Sequence, residues 1–104
     1  MSSFVVMTRT FYEPAVRERV LAAADGAFPI FKKQPGLISI RMHEDREHTH
    51  TMTIMEWDGE ESHEACLRSP DFGGWNDEWT SLMATGAARW ELFTYEVLHE
   101  HRYA

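Results

Sequence analysis

Several features are scarce or missing in this sequence, and each absence argues against a class of protein. It contains one cysteine, Cys66, so no disulfide forms within the chain, and we expect the reducing cytoplasm as its location. It lacks a run of about 18 apolar residues, the length that spans a bilayer. The N-terminal segment also lacks the basic and apolar regions of a signal peptide. These absences predict a cytoplasmic protein without a membrane partner.

Positive charge is also scarce. Lys and Arg number 10 against 17 Asp and Glu, which gives a formal net charge of −7. An acidic surface repels phosphate backbones, so this balance argues against a nucleic-acid partner. The 104 residues are 43% hydrophobic and 26% charged, which is typical of a globular protein. We therefore expect a single domain over residues 1–104.

Strand-like and helix-like segments alternate along the chain. Runs of β-branched and apolar residues predict strands over residues 3–10, 37–43, 48–57 and 88–98. Helical spacing of apolar residues predicts a helix that opens at Glu13-Pro14, a second over residues 60–69, and a third from Pro70 that ends at Gly86. Gly26 and Pro29 predict a kink or break near the end of the first helix.

This order predicts a ferredoxin-like βαββαβ sandwich of the α+β class, with a four-stranded antiparallel sheet. The third strand is apolar on both faces, because Met52 and Ile54 alternate with Met55 and Trp57. Both apolar faces of such a sheet need to be buried, and the helices bury only one of them. We therefore predict a homodimer that packs sheet against sheet.

Four short motifs carry a family resemblance. They are Gln34-Pro35-Gly36-Leu37, Ile54-Met55-Glu56-Trp57-Asp58, Leu67-Arg68-Ser69-Pro70-Asp71-Phe72 and Tyr95-Glu96-Val97. Their order and spacing resemble those of the antibiotic biosynthesis monooxygenase-like domains of the dimeric α/β-barrel superfamily. The resemblance covers nearly the whole chain.

The resemblance implies a pocket between the sheet and the helices that binds a small aromatic or quinol-type molecule. It also implies a monooxygenase that uses molecular oxygen without a cofactor, because an electron-rich anion of the substrate can itself reduce oxygen. The protein then has to bind the ring, promote its deprotonation and stabilise the anion. A non-catalytic dimeric domain that binds a small molecule is the alternative, because this fold carries many functions.

Three residues match or replace family positions around the third strand. Trp57 matches a strand-end tryptophan and either walls the pocket, with its indole N–H as a donor, or packs in the core. Some family members have an asparagine four residues before this tryptophan and a tyrosine six residues after it. Thr53 and His63 stand there instead. We predict Thr53 as a substrate contact and His63 as the catalytic base, unless His63 is an exposed helix residue.

Aromatic residues on the third helix and one arginine complete the predicted site. Phe72, Trp75 and Trp79 share a helix face, where they either fill the core or line the substrate pocket. Arg41 lies on one face of the second strand and needs an acidic partner or a bound anion if that face is buried.

Metal and haem sites have weaker support. His43, His48 and His50 cluster around the predicted hairpin, but their spacing does not match a zinc motif, so we predict no metal site. The haem-degrading branch of the superfamily has its functional Asn, Trp and His at positions that correspond to Thr8, Cys66 and Asn76 here. None of the three matches, which makes a haem-binding or haem-degrading protein the less favoured alternative.

Overall fold

A computed structural model describes residues 3–103, which form one four-stranded antiparallel sheet with helices on one face. Its strands are β1 (Phe4–Tyr12), β2 (Leu37–Glu44), β3 (His50–Trp57) and β4 (Ala88–Glu96). Its helices are α1 (Arg17–Lys32), which follows a 3-10 turn at Pro14–Val16, α2 (Glu60–Leu67) and α3 (Pro70–Ala84). The predicted ferredoxin-like α+β fold is confirmed. Within the described residues, no helix is long and apolar enough to cross a membrane.

The strand order is β2-β3-β1-β4, and every neighbouring pair is antiparallel. Because side chains alternate between the two faces of a strand, the register assigns each one to a face. The inner face, which packs on the helices, takes Val6, Thr8, Thr10 and Tyr12 from β1. Their neighbours Met7 and Phe11 point to the outer face.

The core between the sheet and the helices divides into two apolar clusters. The Trp57 cluster consists of Val6, Ala27, Phe31, Met55, Trp57 and Cys66. The Trp79 cluster consists of Tyr12, Val20, Trp79, Leu82 and Ala88. Partly buried Trp75 packs against both clusters. The two clusters therefore lie at opposite ends of the inner face. The cross-strand pairs between them belong to neither cluster and can line a site.

Of the predicted kink or break in the first helix, the break is wrong, because α1 runs without interruption through Gly26 and Pro29. Proline lacks the N–H that would bond to the carbonyl of Asp25. Asp25 and Pro29 are both exposed, so water can donate a hydrogen bond to that carbonyl in place of the missing N–H. Gly26 faces Trp75, since a Cβ atom at this glycine would lie 3.9 Å from Cδ1 of that tryptophan.

The start of β3 also differs from the prediction, since the strand begins at His50 rather than at residue 48. His48 lies in the hairpin turn with a positive φ of 61°, which is incompatible with a strand. Asp45 holds this turn by accepting hydrogen bonds from the backbone N–H groups of Thr49 (2.7 Å) and His50 (2.9 Å). Desolvation raises the pKa of the Asp45 carboxyl, but the hydrogen bonds from His50, Thr49 and Glu47 together outweigh it and lower that pKa to about 2.

Candidate functional site

A cavity of about 100 Å³ lies between the inner face of the sheet and the three helices. It occupies the space between the Trp57 and Trp79 clusters. Trp90 and Leu92 of β4 and Leu67 of α2 line it and are 40%, 41% and 40% exposed, so solvent reaches parts of the lining. The described residues that line it include His63, Phe72, Trp75 and Trp79, but no Asp, Glu, Lys or Arg.

Helix α3 supplies the aromatic wall of the cavity. The helix begins at a sequence signal, because the Ser69 hydroxyl accepts a hydrogen bond from the Phe72 N–H and Pro70 follows at the first position. Trp75 and Trp79 are one turn apart and stack with ring centroids 5.3 Å apart and an angle of 19° between the rings. The Trp75 indole N–H donates to the Ala23 carbonyl on α1 at 2.8 Å, which holds the stack in place.

The imidazole of His63 is the ionisable group of the described cavity lining. His63 is 5% exposed on α2, and its ring centroid lies 5.5 Å from that of Trp57 and 5.7 Å from that of Phe4. Burial lowers its pKa below the ordinary value of 6.5, and the charge of Glu64 opposes this only in part. The imidazole is therefore neutral at pH 7 and able to accept a proton.

Threonines form the floor of the cavity. Thr53 of β3 lines it together with its cross-strand partner Thr8 of β1. The next cross-strand pair on the same face, Thr51 and Thr10, also lines it. We did not predict Thr8, Thr10 and Thr51 as site residues. The alternation within β1 and β3 places each threonine on the same face as buried apolar residues, and this is the signal that would have pointed to them.

Two of the predicted binding residues lie outside the cavity lining. Trp57 is fully buried beneath His63 in its own apolar cluster, and its Nε1 is a buried atom without a hydrogen-bond partner among the described residues. Arg41 is exposed on the outer face, beside Ile54 of β3. The sheet therefore separates Arg41 from the cavity, whereas Trp57 contacts the site through His63.

A polar network on Glu44 closes the hairpin end of the inner face. The Tyr12 hydroxyl donates to the Glu44 carboxylate, and Arg17 donates two hydrogen bonds of 2.8 Å each to the same group. His48 Nδ1 lies 2.6 Å from it. Arg17 and Tyr12 hold the pKa of this carboxyl far below its usual range, so Glu44 is ionised and fully paired.

The described part of the chain holds no group of three or more His, Cys, Asp or Glu side chains arranged to bind a metal ion. The three histidines considered above diverge. His43 Nδ1 lies 3.1 Å from the Met52 carbonyl oxygen, His48 contacts Glu44, and His50 stacks on Phe11 with centroids 5.0 Å apart.

The chain is similar to several solved structures. The Rv0793 protein of Mycobacterium tuberculosis superposes with a TM-score of 0.80 at 14% identity, over 97% of this chain and 100% of that one. SnoaB from Streptomyces nogalater, a cofactor-independent oxygenase, superposes with a TM-score of 0.71 at 17% identity, over 96% and 97% of the two chains. A conserved protein of unknown function from Bacteroides thetaiotaomicron gives 0.76 at 18% identity, over 92% and 98%. At these identities the likeness establishes the shared fold.

The sequence comparison establishes the family. A search of curated proteins finds no match to this chain. The family model described as antibiotic biosynthesis monooxygenase matches residues 3–78, which is well over half of the 104 residues. This match includes β1 to β3, helices α1 and α2, and most of α3. The chain therefore belongs to the antibiotic biosynthesis monooxygenase family.

Proposed function

We propose that this protein is a cofactor-independent monooxygenase that oxidises a small aromatic or quinol-type molecule with molecular oxygen. One observation carries the proposal. The neutral imidazole of His63 and the stacked rings of Trp75 and Trp79 line the same apolar cavity. A planar ring and a proton acceptor are the two elements that oxidation through a substrate anion requires.

The proposed roles follow from these positions. The ring of the substrate packs on Trp79, Trp75 and Phe72, while His63 removes one proton to leave an electron-rich anion. For a ring CH2 group, the electron pair of the anion adds to O2 and gives a peroxide. The peroxide takes up a proton and loses water, so that one oxygen atom stays as a carbonyl and the other leaves in the water. The CH2 group loses four electrons as it becomes the carbonyl, and O2 takes up the same four as its two atoms become the carbonyl oxygen and water, so no further reductant is needed.

Thr53, Trp57 and Arg41 have different parts in this proposal. The Thr53 hydroxyl lies in the floor, where it can bond to a substrate oxygen. Trp57 acts as a positioning residue through its contact with His63. Arg41 lies on the outer face of the sheet, on the side where we propose a second subunit, and does not contact the substrate.

Oxygen uptake by the metal-stripped protein against hydroquinones and anthrones tests the proposed activity. We expect uptake that saturates with substrate and falls by roughly 100-fold or more in His63→Gln, because positioned general bases contribute about 10²–10⁴-fold. His99→Gln, in the exposed tail, is the matched control and should keep full activity. Uptake that equals the protein-free rate would contradict the enzyme. Binding of these compounds without uptake would indicate the non-catalytic binding domain instead.

We also propose that the outer face of the sheet joins two copies of the chain. This face exposes Ile54, Phe93 and Tyr95 to 37%, 39% and 47%, although they project from strands at the centre and edge of the sheet. A contiguous apolar surface of this kind is typical of an interface. Sedimentation at micromolar concentration should give the mass of a dimer, and Ile54→Glu should give a monomer. A monomeric native protein would contradict this proposal.

We further propose the cytoplasm as the location of the protein. The thiol of Cys66 is buried, and burial raises its pKa to about 11, so it is neither reactive nor paired. A chain without a disulfide is suited to a reducing compartment.

A further inference from the structure

Four threonines occupy the two central rungs of the inner face. Thr8 pairs with Thr53, and Thr10 pairs with Thr51 on the adjacent strand. Cross-strand neighbours lie ~5 Å apart and alternate residues of one strand lie ~7 Å apart. All four residues line the cavity. They therefore form a compact polar patch, here called the threonine floor, beneath the aromatic wall.

The threonine floor interrupts an otherwise apolar core. On one side of it, the next rung pairs Val6 with Met55 in the Trp57 cluster. On the other side, Tyr12 and Ala88 belong to the Trp79 cluster. The buried polar residues of the described chain are Thr10 (5% exposed), Thr51 (4% exposed) and His63 (5% exposed), and all of them line this one cavity. Buried polarity is thus concentrated where a ligand would lie.

Packing alone does not account for threonine at these positions. Valine has the same shape and an equally high strand propensity, and it carries no hydroxyl that must be removed from water. Among the described residues, the buried side-chain polar atom without a partner is Trp57 Nε1 and not a threonine hydroxyl. The threonines line the cavity instead, where a bound molecule can form hydrogen bonds to their hydroxyls and where valine would offer none.

The chemistry of the lining defines the class of that molecule. A threonine hydroxyl both donates and accepts, so the floor can bond to a phenol hydroxyl or to a quinone carbonyl. Within residues 3–103, no charged side chain lines the cavity, and His63 is neutral. A carboxylate or phosphate would therefore enter without a counter-charge, at a high desolvation cost.

We propose that the threonine floor determines specificity by binding the oxygen atoms of an uncharged, oxygenated aromatic ring, and that it discriminates against the bare hydrocarbon and the aromatic acid. This inference rests on the cavity of the proposed function, but it concerns binding and requires no turnover. Trp75 and Trp79 pack on the face of the ring, and the hydroxyls of Thr10 and Thr51 form hydrogen bonds with the oxygen atoms at its edge.

Calorimetric titration under argon tests this inference with three matched probes: 1,4-dihydroxynaphthalene, naphthalene and 1-naphthoate. We expect the diol to bind native protein at least ~10-fold more tightly than either other probe, because each bond that the floor makes contributes about a factor of ten. In Thr10→Val/Thr51→Val the preference over naphthalene should disappear, with naphthalene bound as well as before or better. The thermal midpoint of this variant should equal or exceed that of the native protein.

Thr94→Val is the matched control. Thr94 pairs with Val6 on the inner face but is exposed and does not line the cavity, so the diol preference should survive there. The inference is overturned if the native protein binds none of the probes, binds naphthoate as tightly as the diol, or keeps its preference in the double variant. The titration is done without oxygen, so its result does not depend on turnover. A failure to detect oxygen uptake in the separate activity assay would contradict the proposed activity and would leave this inference unaffected.

Discussion

Mild acid should destabilise this protein through His63. The side chain is 5% exposed, and burial lowers the pKa of the folded imidazole below 6.5. The unfolded imidazole therefore takes up a proton at a higher pH than the folded one does. Well above pH 6.5 both states are neutral and His63 has no effect on the pH dependence. Below it, the unfolded state binds more protons, so the free energy of unfolding falls as the pH falls.

The magnitude follows from this linkage. Stability falls by up to ~1.4 kcal/mol per pH unit until the folded imidazole itself becomes protonated. With a urea dependence of about 1–3 kcal/mol/M for a small domain, that loss moves the midpoint by roughly 0.5–1.4 M. Glu44 and Asp45 add a loss of stability of their own only as the pH approaches the ordinary pKa values of these carboxyls, 4.5 and 3.8, and His63→Gln keeps that part of the profile.

Urea unfolding of the native protein, His63→Gln and His99→Gln between pH 5 and 7.5 measures the effect. The native protein and the exposed His99→Gln control should lose stability in parallel below pH 6.5. His63→Gln should show a flatter profile whatever its absolute stability, because glutamine does not titrate. His63→Phe provides a second comparison if the glutamine is poorly tolerated. Equal slopes for native protein and His63→Gln would refute the reasoning.

The remaining predictions concern two glycines with opposite requirements. Gly36 has a φ of +91°, and an added Cβ would collide with Ser62 and lie 2.7 Å from Asp58 Oδ1, so Gly36→Ala should destabilise the protein by ~1–3 kcal/mol. Gly74 lies exposed on α3 with open space around it, so Gly74→Ala should stabilise the protein by ~0.5–1 kcal/mol. Chemical denaturation measures both, and a loss of similar size in the two variants would contradict the distinction.

The elements of the fold were predictable because their signals are local. Alternation marks the faces of β2 and β3, the spacing of Trp75 and Trp79 marks one face of α3, and Ser69-Pro70 marks its start. The prediction failed where tertiary context decides. Pro29 remains within α1 because its face is exposed, and His48 lies in a turn that Asp45 closes.

The candidate site was only partly predictable. Helix spacing brings Phe72, Trp75 and Trp79 together, and the structure places them with His63 and Thr53 on one cavity. The family match to Trp57 could not distinguish a wall of the cavity from a residue behind it. The choice between exposed and buried His63 depends on where α2 docks against Phe4 and Trp57, which are distant from one another in the sequence.

The sequence by itself determined the strands, the helices and the face on which each side chain lies, because the backbone periods of two and 3.6 residues are local properties. Only the tertiary structure decided that the four threonines of β1 and β3 meet in one floor. Their meeting depends on a pairing register between strands about 40 residues apart. That register is set by how the two apolar clusters pack on either side, which no local pattern specifies.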